Sequence, residues 1–159
     1  METTKYYHAS PVALQKKDLL AGHLFFISNN YDFVINEFLC GKDYKYLYEI
    51  TLNKTKCRTF DIQKKKCLYV YLRYLKMILK DNFESKLHLA INNGRVSFIV
   101  DEDMPPLLNF LKYNICVFDE GGDNNSEWGF MTSRYYGEVE SLGILDPIVI
   151  KTIKLIKEL

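Results

Sequence analysis

The alternation of apolar and polar residues predicts three β-strands in the first third of the chain. Tyr46 to Leu52 alternates with a period of two, which is typical of a strand with one buried face. Gly22 to Ser28 is a compact apolar run bounded by a glycine and two asparagines, and it predicts a buried strand. A short aromatic strand ends at Tyr6-Tyr7-His8, and Pro11 marks the turn after it.

Apolar residues spaced by three and four predict helices between the strands. The longest such stripe runs over residues 64 to 80 and predicts an amphipathic helix. A shorter stripe from Phe33 to Phe38 predicts a helix capped by Ser28 or Asn30. Pro105-Pro106 begins another short helix, which continues through Leu111.

The second half of the chain alternates between weaker strand and helix signals. Residues 83 to 91 keep a helical spacing before Gly94, and a hairpin through Asn93-Gly94 is the competing interpretation. Further strands are predicted at Cys57 to Ile62, Arg95 to Val100, Tyr113 to Phe118, Glu127 to Met131, and within Tyr136 to Ile144.

The C-terminal segment predicts a final helix. Asp146 precedes Pro147, a cap followed by a proline at the first helical position, and an apolar stripe follows at Ile148, Val149, Ile153 and Ile156. Strands with scattered helices and little regular alternation favour an α+β fold over a doubly wound parallel sheet. At 159 residues, we expect a single domain covering residues 1–159.

Charge and composition narrow the classes of partner. Lys and Arg number 21 and Asp and Glu number 20, so the net charge of +1 provides no global attraction to nucleic acid. Six cations fall within thirteen residues at Lys54, Lys56, Arg58 and Lys64 to Lys66, and a solvated turn and helix start is the favoured interpretation. We therefore do not expect a nucleic-acid partner.

Location and metal binding also follow from composition. No apolar run reaches the ~18 residues needed to span a membrane, and the N-terminus lacks a secretory signal, so we expect a cytoplasmic protein without a membrane partner. The four cysteines form no C-x-x-C pair and are expected to be buried thiols rather than zinc ligands. No glycine-rich phosphate-binding motif occurs.

His8 is the most suggestive of the three histidines. Its neighbours Ala9 and Ser10 are small and the strand stops there, which leaves backbone groups free to meet a ligand. A histidine that merely ends a strand is the plain alternative.

The order of segments resembles the ADP-ribosyltransferase fold, the split-sheet domain of PARP-like and diphtheria-toxin-like enzymes. Tyr7-His8-Ala9-Ser10 is similar to the aromatic-His-small-Ser/Thr motif of the first strand, and Gly22 to Ser28 to a second motif ending in serine. Glu127-Trp128-Gly129-Phe130 follows an acidic loop, as the late motif does in that family. The resemblance covers the first third and residues 107 to 145, and it implies split antiparallel sheets with flanking helices.

The resemblance implies NAD as the cofactor and gives each matched residue a role. His8 would hydrogen-bond a ribose hydroxyl, the Ala9 backbone would grip the nicotinamide amide, and Ser10 would assist. Ser28 closes the second motif and is assigned to the cofactor site with three residues that could stack on nicotinamide: Phe25, Phe26 and Tyr31. The family usually has tyrosine in that motif, so the phenylalanines here are a departure.

The catalytic carboxylate has more than one candidate. Glu127 would bond the ribose 2′-hydroxyl and stabilise the oxocarbenium, and Asp119 or Glu120 in the preceding acidic loop is the alternative. Glu138 and Glu140 have the pattern of exposed charges on a late strand. No resident metal is expected.

Two functions follow from this resemblance. The first is a mono-ADP-ribosyltransferase that modifies a protein target, as a toxin, an effector or a phage counter-defence protein such as an anti-CRISPR. The second is a catalytically inactive domain of the same fold that inhibits or binds a partner through exposed tyrosines such as Tyr44, Tyr46, Tyr48, Tyr135 and Tyr136. A nuclease or metal hydrolase is less supported, because the acidic loop has no histidine nearby.

Overall fold

The computed structural model describes residues 3–39, 43–83, 91–92, 95–96, 104–119, 135–137 and 139–159. Within that part the strands are β1 Tyr6–Ser10, β2 Phe25–Ser28, β3 Tyr46–Leu52, β4 Thr59–Asp61, β5 Ile91–Asn92, β6 Arg95–Val96, β7 Ile115–Asp119, β8 Glu140–Ile144 and β9 Ile150–Glu158. The α-helices are α1 Tyr31–Val34, α2 Lys65–Leu79 and α3 Met104–Leu111. The expected α+β class is confirmed.

Shorter helical turns connect these elements. A π-helical turn, Ile35–Leu39, continues α1, and 3₁₀ turns are found at Lys16–Asp18, Lys54–Lys56, Lys80–Asn82 and Pro147–Val149. The predicted asparagine cap of α1 is confirmed, because the Phe33 N–H donates to Asn30 Oδ1 at 2.9 Å. The Asp146 cap is also present, since Asp146 Oδ1 accepts from the Ile148 N–H at 3.0 Å.

One large sheet organises the fold. Its seven strands lie in the order β4-β7-β8-β2-β1-β3-β9, and all neighbours are antiparallel except β4 and β7. β5 and β6 pair antiparallel with each other in a separate sheet, with Ile91 opposite Val96 and Asn92 opposite Arg95. This pairing agrees with the hairpin interpretation, and the described residues thus contain a seven-stranded sheet and a two-stranded one.

The two faces of this sheet carry different cores. On one face, here called the inner face, Ile27, Tyr48, Ile50, Ile115 and Ile144 pack together with Val149 and Ile150, in a cluster that joins strands from opposite parts of the sheet. On the other, here called the helical face, α2 and α3 cover β4 and β7, while α1 covers β1 and β3. Because successive side chains of a strand point to opposite faces, the position of each residue along its strand decides which core it joins.

The predicted C-terminal helix is wrong. Residues 150–158 form β9, which pairs antiparallel with β3 from Leu52–Ile150 to Tyr46–Glu158. The register skips Lys151 and Ile156, so two bulges interrupt the alternation and place Ile150 and Ile153 three residues apart toward one core. A spacing of three in a bulged strand imitates a helical stripe.

Several other predictions are settled within the described residues. The helix over 64–80 is confirmed as α2, the helix from Pro105-Pro106 as α3, and the strand from Tyr113 to Phe118 as β7. The predicted strand at Glu127 to Met131, and most of the helical stretch at 83–91, lie outside the described residues.

Candidate functional site

The sheet opens between β1 and β2. β1 pairs with β3 at five consecutive positions but with β2 at one position only, Tyr7 opposite Ser28. In a regular antiparallel ladder the next pair on this side would be Ala9 opposite Phe26, and that pair is not formed. The gap leaves backbone groups at an interior position of the sheet without a ladder partner across it.

The Ala9 backbone faces this opening. The Ser10 carbonyl accepts from the Lys45 N–H at 3.1 Å, so even-numbered residues of β1 direct their backbone groups toward β3. Because alternate residues point to opposite neighbours, Tyr7 and Ala9 direct theirs toward β2. Ala9 lies beyond the single pair on that side, so its N–H and C=O are oriented into the gap.

His8 occupies the gap with its side chain. Nδ1 lies 2.6 Å from the Phe26 carbonyl oxygen, and because a carbonyl can only accept, Nδ1 carries the proton. In the neutral ring Nε2 is then a hydrogen-bond acceptor. The imidazole also packs against the Phe25 ring, with centroids 4.1 Å apart. Burial lowers the pKa of His8, with the Phe26 hydrogen bond opposing that effect, so the ring is neutral at pH 7.

A cavity of about 190 Å³ lies beside this opening. Its apolar wall is formed mainly by Phe26 of β2 and by Phe33, Val34 and Phe38 of α1 and the π-helical turn. Ligand sites for drug-sized molecules usually measure about 300–1,000 Å³, so this cavity matches a single ring rather than a whole dinucleotide. The remainder of a larger ligand would have to lie outside the cavity, along the opening between β1 and β2.

Two buried serines contribute polar atoms to the cavity lining. Ser28 and Ser141 are both almost fully buried. Ser28 Oγ donates to the Glu140 carbonyl at 3.4 Å and accepts from the Asn30 N–H at 3.4 Å, which are both long hydrogen bonds. A hydroxyl held this loosely has capacity for a shorter bond to a ligand.

The predicted site residues do not all meet in one place. His8, Ala9, Phe26 and Ser28 contribute to the cavity lining, whereas Phe25 lies on the inner face against His8. Phe25 and Phe26 are neighbours in a strand, so their side chains point to opposite faces and only Phe26 reaches the cavity.

Two other predicted residues have local partners. Tyr31 is not among the lining residues and packs edge-to-face on Tyr7, with ring centroids 5.2 Å apart. Ser10 is buried and forms a turn at the end of β1, with Oγ donating to the Val12 carbonyl at 2.7 Å. The Ser10 hydroxyl is thus engaged within the strand end itself.

Of the carboxylates predicted for catalysis, the structure describes Asp119 by its backbone. Glu127 and Glu120 lie outside the described residues, as does Glu138, and Asp119 is the last residue of β7, where its backbone pairs with Glu140. Between β7 and β1 lie β8 and β2, so Asp119 and His8 are three strand spacings apart, about 14 Å across the sheet.

Sequence reasoning missed several residues that border the cavity. Phe33, Val34 and Phe38 were recognised as a helical stripe, but an apolar stripe predicts burial and not a neighbouring cavity. Tyr44 is predicted from the sequence as an exposed tyrosine, and no sequence motif marks Ser141 as a site residue. Only the pairing of β2 with β8, which is non-local, brings Ser141 beside Ser28.

Other site classes find no support in the part of the chain that the structure describes. No group of three or more His, Cys, Asp or Glu residues there could hold a metal ion. No helix in that part is both long and apolar enough to cross a membrane. Comparison with protein-family models, curated proteins and solved structures finds no significant match to this chain.

Proposed function

We propose that the protein is a mono-ADP-ribosyltransferase that transfers ADP-ribose from NAD to a protein target, in a domain of the ADP-ribosyltransferase class. The observation that carries the proposal is the opening between β1 and β2, where the Ala9 backbone, the His8 imidazole and a ring-sized cavity adjoin. An interrupted ladder inside a sheet is unfavourable by itself, because the backbone groups it exposes need partners. A carboxamide that pairs with both backbone groups would supply them.

The proposed roles follow from donor and acceptor chemistry. A nicotinamide ring would enter the cavity against Phe26, with its carboxamide on the Ala9 N–H and C=O and the Ser28 hydroxyl. His8 Nε2, an acceptor in the neutral tautomer, would receive a ribose hydroxyl proton. These contacts would hold the leaving group and the ribose in fixed relative positions, which lowers the entropic part of the barrier.

The reaction breaks the bond between nicotinamide and the ribose C1′, and nicotinamide leaves with the bonding electrons. The ribose develops oxocarbenium character, and a carboxylate stabilises this positive charge. A nucleophile of the target protein then forms the new bond to C1′ and loses its proton. Glu127 remains our first choice for the carboxylate. Asp119 is the second choice, supported by the position of its backbone at the end of β7, three strands from His8.

NAD binding and transfer should be tested separately. We expect saturating NAD to raise the melting temperature, because a ligand held only by the folded state stabilises it. Biotinylated NAD should label proteins in a lysate, and His8→Ala should abolish that labelling. His23→Ala is the matched control, since His23 is exposed and lies outside the cavity lining.

Glu127→Gln and Asp119→Asn should then identify the carboxylate. No melting shift and no labelling by the wild-type protein would refute the proposal.

The alternative is an inactive domain of the same class that binds a partner through aromatic residues. Tyr135 favours it, being 63% exposed. Other tyrosines that the sequence suggested as anchors weigh against it: Tyr48 is buried with its hydroxyl accepting from the Leu14 N–H at 2.6 Å, and Tyr44 lines the cavity. A folded protein that neither binds NAD nor labels any target would support this alternative.

A further inference from the structure

A second depression, of about 560 Å³, lies at the end of the sheet where β2 begins. We call it the basic groove and define it by Gly22, Arg58, Asn109, Lys112, Tyr113 and Asp146. It shares no lining residue with the cavity beside His8. Its volume falls within the range of about 300–1,000 Å³ that is usual for small-molecule sites.

The groove contains two cations that have no acidic partner among the described residues. Arg58 and Lys112 are both exposed and both line it. Within the described residues the one ion pair joins Lys5 and Glu49, so neither cation lies within 4.0 Å of a described carboxylate. Asp146 is the acidic residue of the groove, and its carboxylate caps the 3₁₀ turn by accepting from the Ile148 N–H. The lining is therefore cationic overall.

Asn114 fixes the backbone from which the Arg58 side chain extends. This buried residue accepts from the Arg58 N–H at 2.7 Å through its side-chain oxygen and donates from its own N–H to the Arg58 carbonyl at 3.0 Å. Its side-chain amide also donates to the Lys56 carbonyl at 2.8 Å. An anchored backbone reduces the entropy lost when the guanidinium meets a ligand.

Lys112 occupies a conformation that favours glycine. Its φ of 63° places it in the left-handed region, directly after α3, where helices commonly end on glycine. A side chain there is strained, because its Cβ comes too close to the following carbonyl oxygen. A cation at the carbonyl end of a helix offsets part of that strain, so binding must be separated from stability by experiment.

We propose that the basic groove binds a nucleotide-sized phosphate ester, with Arg58 and Lys112 contacting the phosphates. Guanidinium and ammonium groups are the usual protein ligands of phosphate, and arginine can bind it in a bidentate manner. Tyr113, the aromatic residue of the lining, is half-buried with its ring packed edge-on against Phe60, and its exposed part is the apolar surface we assign to the base. The proposal is independent of NAD chemistry at His8.

ADP and adenosine are suitable probes, measured by titration calorimetry with the full chain at constant ionic strength. ADP should bind saturably and adenosine much more weakly, because the phosphates supply the charge contacts. Arg58→Gln and Lys112→Gly should each weaken ADP binding by about three- to tenfold. Lys151→Gln, on β9 and outside the groove, removes the same charge and should leave affinity unchanged.

Lys112→Gly keeps the test decisive, because glycine relieves the left-handed strain and the variant should melt no lower than the wild type. Weaker ADP binding by a stable variant would therefore reflect the lost ammonium group. His8→Ala should leave ADP affinity unchanged, which distinguishes this groove from the proposed NAD site. The assignment is overturned if ADP does not bind, or if adenosine binds with the same affinity as ADP. It is also overturned if both groove variants bind ADP as tightly as the wild type, or if His8→Ala loses ADP binding. Much tighter binding of a short single-stranded oligonucleotide would overturn it in favour of a nucleic-acid surface.

Discussion

Gly143 on β8 lies directly opposite Cys116 on β7, and the Cys116 sulfur occupies the space that a side chain at this glycine would need. A Cβ there would stand 2.9 Å from Cys116 Sγ, 3.2 Å from Leu24 Cδ2 and 3.4 Å from Phe26 Cε1. The glycine therefore permits the close packing of three strands beneath the proposed site.

Gly143→Ala should destabilise the protein by about 1–3 kcal/mol, because Cys116 Sγ is buried and cannot move away without disturbing the core. Urea denaturation measures the change in the free energy of unfolding. In a Cys116→Ala background the same substitution should cost less, since the closest contact is gone. Additive effects in this double-mutant cycle would contradict the steric explanation.

The neutral state of His8 makes stability depend on pH. Burial lowers the pKa of His8 in the folded protein, so below the unfolded-state value of about 6.5 the unfolded chain binds more protons than the folded one. The stability from this residue is fully present above that pH and is lost as the pH falls toward the folded pKa. Denaturation of the wild type and His8→Gln between pH 8 and about 5 should show the steeper loss in the wild type. Parallel profiles would mean that another group is responsible.

Lys80 ends α2 with φ 49° and ψ −113°, a combination that suits glycine far better than lysine. Lys80→Gly should therefore raise the free energy of unfolding by about 0.5–1 kcal/mol. Lys76→Gly, an exposed change inside the same helix, should lower it by about 1 kcal/mol. If backbone conformation decides whether glycine stabilises the protein, the melting temperature should rise in Lys80→Gly and fall in Lys76→Gly.

Asn30 combines a helix cap with a tertiary hydrogen bond. Its Oδ1 accepts from the Phe33 N–H, and its Nδ2 donates to the Tyr136 carbonyl at 3.3 Å. Asn30→Ala should cost about 1–2 kcal/mol, whereas Asn30→Asp keeps the cap and loses only the bond to Tyr136. Chemical denaturation should place the aspartate variant between the wild type and the alanine variant. Equal losses in both would show that the Tyr136 contact dominates.

The sequence predicted local elements well because local patterns determine them. The period of two in β3 and the stripe of α2 follow directly from which face each element buries. The opening between β1 and β2 could not be predicted, since it depends on where a non-local ladder stops. The same limit applies to Ser141, which reaches Ser28 only through the pairing of distant strands. The Tyr7-His8-Ala9-Ser10 stretch predicted the end of a strand but not the face on which each side chain lies.

The C-terminal strand β9 leads to a prediction about self-association. β9 is the last strand of the sheet in the described part, and it leaves Leu155 44% and Ile156 37% exposed. Such an edge tends to pair with other chains unless charged residues prevent it. The exposed side chains of β9 include three lysines, Lys151, Lys154 and Lys157.

Replacing the three β9 lysines with threonine should therefore promote self-association, detected by light scattering as a rise in mass with concentration. The matched control replaces Lys64, Lys65 and Lys66 at the start of α2 with glutamine, removing equal charge from a helix rather than from a strand. Solubility governed by net charge alone would make both triple variants associate equally. Association of the β9 variant alone would show that the lysines act by protecting the strand edge, as expected for an edge with unpaired backbone groups.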